Sequence, residues 1–201
     1  MDARRFLAEM LGTFALTFVV WLSIAFALPF STPVMAALTL GLFVYTVGHI
    51  SGTHINPAVT VGLLSINKIK PMDALGYIIA QFLGATVAML LGQTLSGTGA
   101  VIGHDNSISV GAAEALGAFF LVFGICSVVY KKVHPAASGA VIGGSLLLGI
   151  FAASSKSNGV LNPAVALGIG SFGPMYILGP LVGAVGAAWA YTFLSGEKVK
   201  F

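Results

Sequence analysis

Four residues, Asn56-Pro57-Ala58-Val59, return letter for letter as Asn162-Pro163-Ala164-Val165, and a glutamate inside an apolar run is duplicated with them. Ala8-Glu9-Met10-Leu11-Gly12-Thr13-Phe14 is echoed by Ala113-Glu114-Ala115-Leu116-Gly117-Ala118-Phe119. The offsets are 106 residues for the tetrapeptides and 105 for the glutamates. Two landmarks recurring in register over a half-chain mean an internal duplication, covering about 1–100 and 106–201. Whatever fold the chain takes must join two equivalent halves.

Each tetrapeptide reads as the start of a short helix. Asparagine is a favoured N-cap because its side-chain oxygen accepts from the first free backbone N–H groups, and proline suits the next position, where no N–H is needed. The asparagine NH2 is then free to donate out of the helix end, beside the positive end of the helix dipole. The first run stops at Asn67, Lys68 and Lys70, so a helix from Asn56 to Ser65 would be roughly 15 Å long at about 1.5 Å per residue. That is about half of a hydrocarbon core roughly 30 Å thick. The second, Asn162 to Gly170, ends before Gly173-Pro174. Two half-helices point to a re-entrant pair.

A membrane setting follows from composition: 57% of residues are hydrophobic, 7% are charged, and the mean hydropathy is +0.99. The 201 residues suit a single integral membrane domain, because six spans of about 20 residues use most of them. The net charge of +3 sits in scattered short segments with no contiguous patch, which argues against a nucleic-acid partner. Cys126 is the only cysteine, so intrachain disulfides and multi-cysteine metal sites are excluded, and it reads as a packing residue. No metal and no cofactor is expected.

In order, the spans are Phe6 to Leu28, Pro33 to His49, Pro71 to Leu95, Val110 to Tyr130, Ala136 to Ala153 and Met175 to Leu194. Ala25-Phe26-Ala27 resembles a signal cleavage site, but the apolar run before it is too long for a signal core and contains Glu9, which has its counterpart at Glu114. Gly76, Ala80, Gly84, Ala88 and Gly92 stand four apart on the third span and form a helix-contact face. Ser96 to Ser107, with His104, Asp105 and Asn106, is the longest polar connection and divides the halves.

Each half holds three full spans, an odd number, so the second half enters from the opposite face and the repeats are inverted. The fold class is therefore an all-α membrane protein, six transmembrane helices plus two re-entrant half-helices in an inverted 3+3 repeat. With both termini inside, Arg4, Arg5, Lys68, Lys70, Lys131, Lys132, Lys198 and Lys200 fall on the cytoplasmic side and only Lys156 falls outside. The two Asn-capped ends then meet near the midplane. Minimal loops suit the plasma membrane of a microbe.

The sequence resembles the aquaporin family, also called the major intrinsic proteins, over essentially its whole length. The resemblance rests on Gly48-His49-Ile50-Ser51-Gly52-Thr53-His54-Ile55-Asn56-Pro57-Ala58-Val59-Thr60 and Asn158-Gly159-Val160-Leu161-Asn162-Pro163-Ala164, with Glu9 and Glu114 at equivalent places. A single Asn-Pro-Ala is a common turn, whereas two in register in an inverted repeat are specific. The resemblance implies a right-handed six-helix bundle, a pore in each protomer and a homotetramer. It implies a pore centre at Asn56, Asn162, Pro57, Pro163, Ala58 and Ala164, with positive helix ends that repel cations. It implies an acceptor ladder from the carbonyls of Gly52, Thr53, His54 and Ile55 and of Asn158, Gly159, Val160 and Leu161. Glu9 and Glu114 would support the loops that carry these carbonyls.

One departure weighs as much as the match. In most of the family an arginine follows the second Asn-Pro-Ala and narrows the outer mouth; here that residue is Val165. The other positions of that outer constriction fall, by counting, at Ala36, Ile150 and Gly159, where water channels usually have a large aromatic and a histidine at the first two. The filter reads as wide and apolar. Loss of the fixed cation and its donors relaxes size exclusion and leaves polar solutes less well compensated. The glycerol-type branch carries an aspartate where Ala166 stands. Lys156 is a candidate replacement for the missing charge.

The partners expected are water, small neutral solutes and the lipid bilayer. The leading function is a passive channel for water and small neutral solutes that excludes ions and protons. The alternative is a channel mainly for larger or less polar molecules such as glycerol, ammonia, carbon dioxide or hydrogen peroxide. A coupled transporter needs embedded ion-binding groups, and the spans offer only Glu9 and Glu114. A structural membrane protein is disfavoured by the short tails. No nucleophile and base, metal cluster or phosphate loop points to an enzyme. His49 and His54 read as residues that hold the first loop's bend, and Gln81 as an interhelical hydrogen bond.

Overall fold

The structure is a computed structural model describing residues 2–26, 28–97, 99, 102–103 and 105–199. Ala27, His104 and Lys200, which figured in the cleavage-like triplet, the polar connection and the charge count, lie outside the described residues. The described chain forms α1 (Ala3–Ala25), α2 (Thr32–Ser51), α3 (Pro57–Ser65), α4 (Pro71–Ser96), α5 (Ile108–Val129), α6 (Ser138–Ala153), α7 (Pro163–Gly168) and α8 (Pro174–Leu194). A 3-10 turn, Pro135–Ala137, leads into α6. Six of these helices are long and apolar enough to cross a membrane, and α3 and α7 are the half-helices.

Element boundaries differ from the hydropathy reading where a cap intervenes. Helix α1 begins at Ala3 because Asp2 caps it, its Oδ1 accepting from the Arg4 N–H at 3.0 Å. Hydrogen bonding from the Arg4 side chain holds the Asp2 carboxyl below the usual carboxylate range. Helix α2 continues past His49 to Ser51 and is stopped by Gly52, whose φ of +87° turns the chain sharply. Helix α7 ends at Gly168, short of the expected Gly170.

The two halves repeat the same helix pairings: α1 on α4, α5 on α8. The four-residue stripe on α4 faces α1, since a methyl on Gly76 would overlap Phe6, one on Gly84 the Met10 carbonyl, and one on Gly92 the Trp21 ring. The second half copies this contact, with Gly183 of α8 against the Ala115 carbonyl, and Ala115 is the counterpart of Met10. Only hydrogen fits at these positions, where the neighbouring helix brings a backbone carbonyl or a ring this close. Helices α2 and α6 join the halves along Gly41, Gly139 and Gly143.

The half-helices are exchanged between halves. Helix α3 packs chiefly against α8, with Gly62 against Ala184, and α7 packs chiefly against α4 and α1, with Gly168 against Thr17 and Ala85. Each half therefore completes the other, and buried apolar residues from both merge into one main core. At one end Arg5 pairs with Asp73 at 3.2 Å, Lys68 lies over the Tyr130 ring at 4.1 Å, and Lys132 pairs with Glu197 at 2.9 Å. That last hydrogen bond raises the Lys132 ammonium above its ordinary value.

Candidate functional site

The site begins with the two N-caps. Asn56 and Asn162 have extended backbones, and their Oδ1 atoms accept from the first free N–H groups: Ala58 at 2.8 Å in one half, Ala164 at 3.1 Å and Val165 at 3.3 Å in the other. The NH2 groups, read from sequence as free, are half committed. Asn56 Nδ2 donates to the Leu161 carbonyl and Asn162 Nδ2 to the Ile55 carbonyl, both at 2.9 Å. Each cap thus crosses to the other half, tying the half-helix N-termini together and leaving one N–H per amide for another partner.

The loops before the caps hang from the buried glutamates. Glu9 accepts from the His54 N–H at 2.9 Å and the Ile55 N–H at 2.6 Å; Glu114 accepts from the Val160 N–H at 3.0 Å and the Leu161 N–H at 2.7 Å. Behind them Ser51 Oγ accepts from the Thr53 N–H and Ser157 Oγ from the Gly159 N–H, both at 3.0 Å. The peptide bonds are trans, so each of these N–H groups is antiparallel to the preceding carbonyl. The carbonyls of Gly52, Thr53, His54, Asn158, Gly159 and Val160 are accordingly turned away from these acceptors. The turn requires positive φ at Thr53, Ile55 and Leu161 as well as at Gly52 and Gly159, conformations of the left-handed region that non-glycine residues adopt at a cost of order 1–3 kcal/mol. The glutamate and serine hydrogen bonds supply the compensation.

Ser51 and Ser157 escaped the sequence reading although their offset of 106 residues matches that of the asparagines. Tyr77 donates to the Ser51 carbonyl at 2.6 Å, and Tyr176 accepts from the Asn158 N–H at 3.1 Å. Gln81 makes the interhelical contacts expected of it, its Nε2 donating to Glu9 Oε2 at 2.8 Å and to Thr60 Oγ1 at 3.0 Å.

Two cavities meet beside the first cap, at His54, Val59 and Ile125. An apolar cavity of about 150 Å³ is lined by Ala36, Ile150, Gly159 and Val165, the four counted filter positions, together with Asn56 and Asn162. A vestibule of about 550 Å³ at the basic end is lined by Arg5, His49, Gly52, Thr53 and Lys68 among others. His54, Val59 and Ile125 line both and form the neck between them.

Placement of the remaining candidates is uneven. Ile55, Asn158 and Val160 line the apolar cavity, whereas Leu161 lines neither space and its carbonyl is held by Asn56. Pro57, Ala58, Pro163 and Ala164 are buried just behind the caps and face neither cavity. Glu9 and Glu114 are fully buried and line neither. Lys156 is exposed and absent from the cavity wall, so it does not stand in for the missing arginine. Cys126 is buried in the core. The long polar connection contributes a residue that hydropathy gave no reason to single out. Its Ile102 is fastened by an N–H bond to the Ile169 carbonyl at 3.2 Å and lines the apolar cavity.

Comparison with known proteins agrees with this fold. The model of the major intrinsic protein family matches residues 1–191. The chain is 33% identical to a probable aquaporin AqpM of Archaeoglobus fulgidus, over 97% of this chain and 98% of that one. It is 34% identical to glycerol uptake facilitator protein-like 6 of Lactiplantibacillus plantarum, over 96% and 99%. Among solved structures, the aquaglyceroporin from Plasmodium falciparum superposes with a TM-score of 0.75 at 26% identity, covering 94% of this chain and 95% of that one.

Proposed function

The chain belongs to the major intrinsic protein family, whose members are channels and not enzymes, and from that premise we propose which solutes its passive pore admits and which residues select them. It is a channel for water and small neutral solutes. The whole chain, 1–201, acts as one channel domain, and the path runs from the apolar cavity past the crossed asparagines and through the neck into the basic vestibule. Asn56 and Asn162 each present their remaining N–H to a permeating molecule, and the turned-out carbonyls of Gly52, Thr53, His54, Asn158, Gly159 and Val160 accept from it. Glu9 and Glu114 act as loop supports; facing neither cavity, they are not placed to bind a coupling ion.

The observation that carries the selectivity reading is the wall of the apolar cavity. Ala36, Ile150, Gly159 and Val165 surround one space without a cationic or hydrogen-bonding side chain among them. Water passes, and weakly hydrated neutral molecules larger than water lose little there, whereas ions meet no charged side chain to replace their hydration shell. The names of the relatives, an aquaporin and a glycerol uptake facilitator, bracket that range. Osmotic water permeability and uptake of glycerol, ammonia and hydrogen peroxide, measured by stopped flow in the same proteoliposomes, test the reading. Water conduction with measurable uptake of at least one of the solutes is expected; water alone would mean that the apolar ring is still narrow.

Cation exclusion is assigned to the crossed caps. Asn56→Asp or Asn162→Asp puts a carboxylate where two helix N-termini meet, which is worth about 4 kcal/mol to a cation 4 Å away at an effective dielectric of about 20. A rise of at least roughly tenfold in cation leak is expected, corresponding to about 1.4 kcal/mol of barrier. Unaltered conductance in both variants would remove the barrier from this place. The proposal extends to a homotetramer in the plasma membrane with both termini cytoplasmic, the orientation supported by the grouping of Arg5, Lys68 and Lys132 at one end. Native mass spectrometry and protease accessibility of terminal tags check these points.

A further inference from the structure

The neck contains one polar side chain among the described residues that line it, and its chemistry is set by groups buried behind it. Of His54, Val59 and Ile125, only His54 can form a hydrogen bond through its side chain. Its Nδ1 lies 3.1 Å from Thr60 Oγ1, and its ring meets Tyr77 edge-on with centroids 5.1 Å apart. A methyl built on Gly52, which lines the basic vestibule, would stand 3.6 Å from His54 Cδ2 and 3.7 Å from Nε2. The Nε2 edge therefore faces the channel.

Hydrogen-bond counting decides which ring nitrogen carries the proton. Thr60 Oγ1 has one hydrogen and two lone pairs. It has three neighbours: the Asn56 carbonyl at 3.1 Å, Gln81 Nε2 at 3.0 Å and His54 Nδ1 at 3.1 Å. The Asn56 carbonyl can only accept, so it takes the hydroxyl hydrogen. Gln81 presents its NH2 because Glu9 Oε2 lies 2.8 Å away on its other side, and an amide oxygen turned there would set two acceptors against each other. Both remaining sites on Thr60 are then acceptors, and His54 must donate through Nδ1–H. In a neutral imidazole the other nitrogen, Nε2, is then a bare acceptor.

We infer that Glu9, Gln81 and Thr60 form a relay that locks His54 as its Nδ1–H tautomer, making Nε2 the side-chain acceptor met at the neck by small neutral hydrogen-bond donors. The inference rests on the channel reading for the direction of travel. Its chemistry complements the caps: Asn56 and Asn162 offer donors at the centre, and one step toward the basic vestibule His54 offers an acceptor between two apolar residues. A water molecule there is held with a hydrogen toward Nε2. The Nε2–H tautomer would instead put a donor in its way on the side where carbonyls accept. Thr60, Gln81 and Glu9 are positioning residues, since none of them lines either cavity.

The direct test is 15N NMR of the histidine rings in the full-length protein reconstituted in lipid, with the His54 signals identified by their loss in His54→Gln. A protonated Nδ1 and a bare Nε2 on His54 are expected in the wild type. In Thr60→Val, which keeps the shape but removes the hydroxyl, the Nε2–H form should appear, and uptake of water and of hydrogen peroxide should fall together by roughly two- to tenfold, the worth of one hydrogen bond in a barrier. Thr60→Ser should restore both. An Nε2–H ring in a wild-type protein that conducts water overturns the relay, as does a Thr60→Val variant with wild-type ring signals and flux. The wild-type spectrum decides the point even where Thr60→Val does not fold. A protein with the Nδ1–H ring that passes neither water nor hydrogen peroxide keeps the relay and overturns the channel reading instead.

Discussion

Val165→Arg is expected to cut uptake of the largest solute the channel passes by at least roughly tenfold while water flux falls less, a barrier increase of about 1.4 kcal/mol or more for that solute. Val165 sits in the first turn of α7 after its cap Asn162, its N–H 3.3 Å from the Asn162 Oδ1, and its side chain lines a cavity of only about 150 Å³. An arginine there brings several more heavy atoms and a fixed charge into that volume. The charge needs partners, and the polar groups within the wall include the side chains of Thr32, Ser154, Asn158, Asn56, Asn162 and His54 and the turned-out loop carbonyls. Drawing the guanidinium toward them narrows the opening and supplies donors that water can use and larger solutes cannot fit beside. Stopped-flow permeabilities for water and for the solute in matched proteoliposomes read the two effects separately. Solute uptake equal to wild type in a variant that still conducts water would place the constriction elsewhere.

Glu9→Ala is expected to abolish the folded channel. Glu9 accepts from the Ser51 hydroxyl, the His54 and Ile55 N–H groups and the Gln81 amide, all buried. Truncation leaves the Ser51 hydroxyl, the two backbone N–H groups and one of the two Gln81 amide N–H groups without this acceptor, at about 1–3 kcal/mol each. The sum is comparable to the whole stability of an ordinary domain, about 5–15 kcal/mol. The loop would lose what holds Thr53 and Ile55 at positive φ. Glu9→Gln should be milder, because one oxygen still accepts while the new NH2 faces donors. Thermal unfolding in detergent, with water permeability per mole of reconstituted protein, should rank wild type above Glu9→Gln above Glu9→Ala. A Glu9→Ala protein that melts and conducts like the wild type would show that the loop is held by other contacts, and a loss of conduction with unchanged melting would reopen a proton-handling role.

Much of this architecture is legible because it is written in local pattern. Apolar runs of span length, a cap-and-proline start at Asn56 and Asn162, and lysines that stop the helices act over a turn or two of chain. They place six spans and two half-helices within a few residues of where they stand. The register of Glu9 with Glu114 and Asn56 with Asn162 adds the inverted repeat. The same register contained Ser51 and Ser157, which went unread because a serine in a loop carries no signal until its carboxylate neighbour is known.

The residues themselves determined that the chain is a membrane-embedded, twofold-repeated bundle with two capped half-helices and an arginine-free filter, because helix start, helix length and burial in lipid depend on neighbours in sequence. Only the tertiary structure decided how the halves interlock. The Asn56 amide, free within its own half, finds its acceptor 105 residues away at Leu161, and α3 and α7 each pack chiefly on the opposite half. It also decided that Lys156 stays in solvent, that Ile102 reaches the apolar cavity, and that Thr60 and Gln81 stand behind His54. The physical reason is one of range: a hydrogen bond or a cavity wall is made by atoms within a few ångströms, and in this fold those atoms come from opposite ends of a duplicated chain.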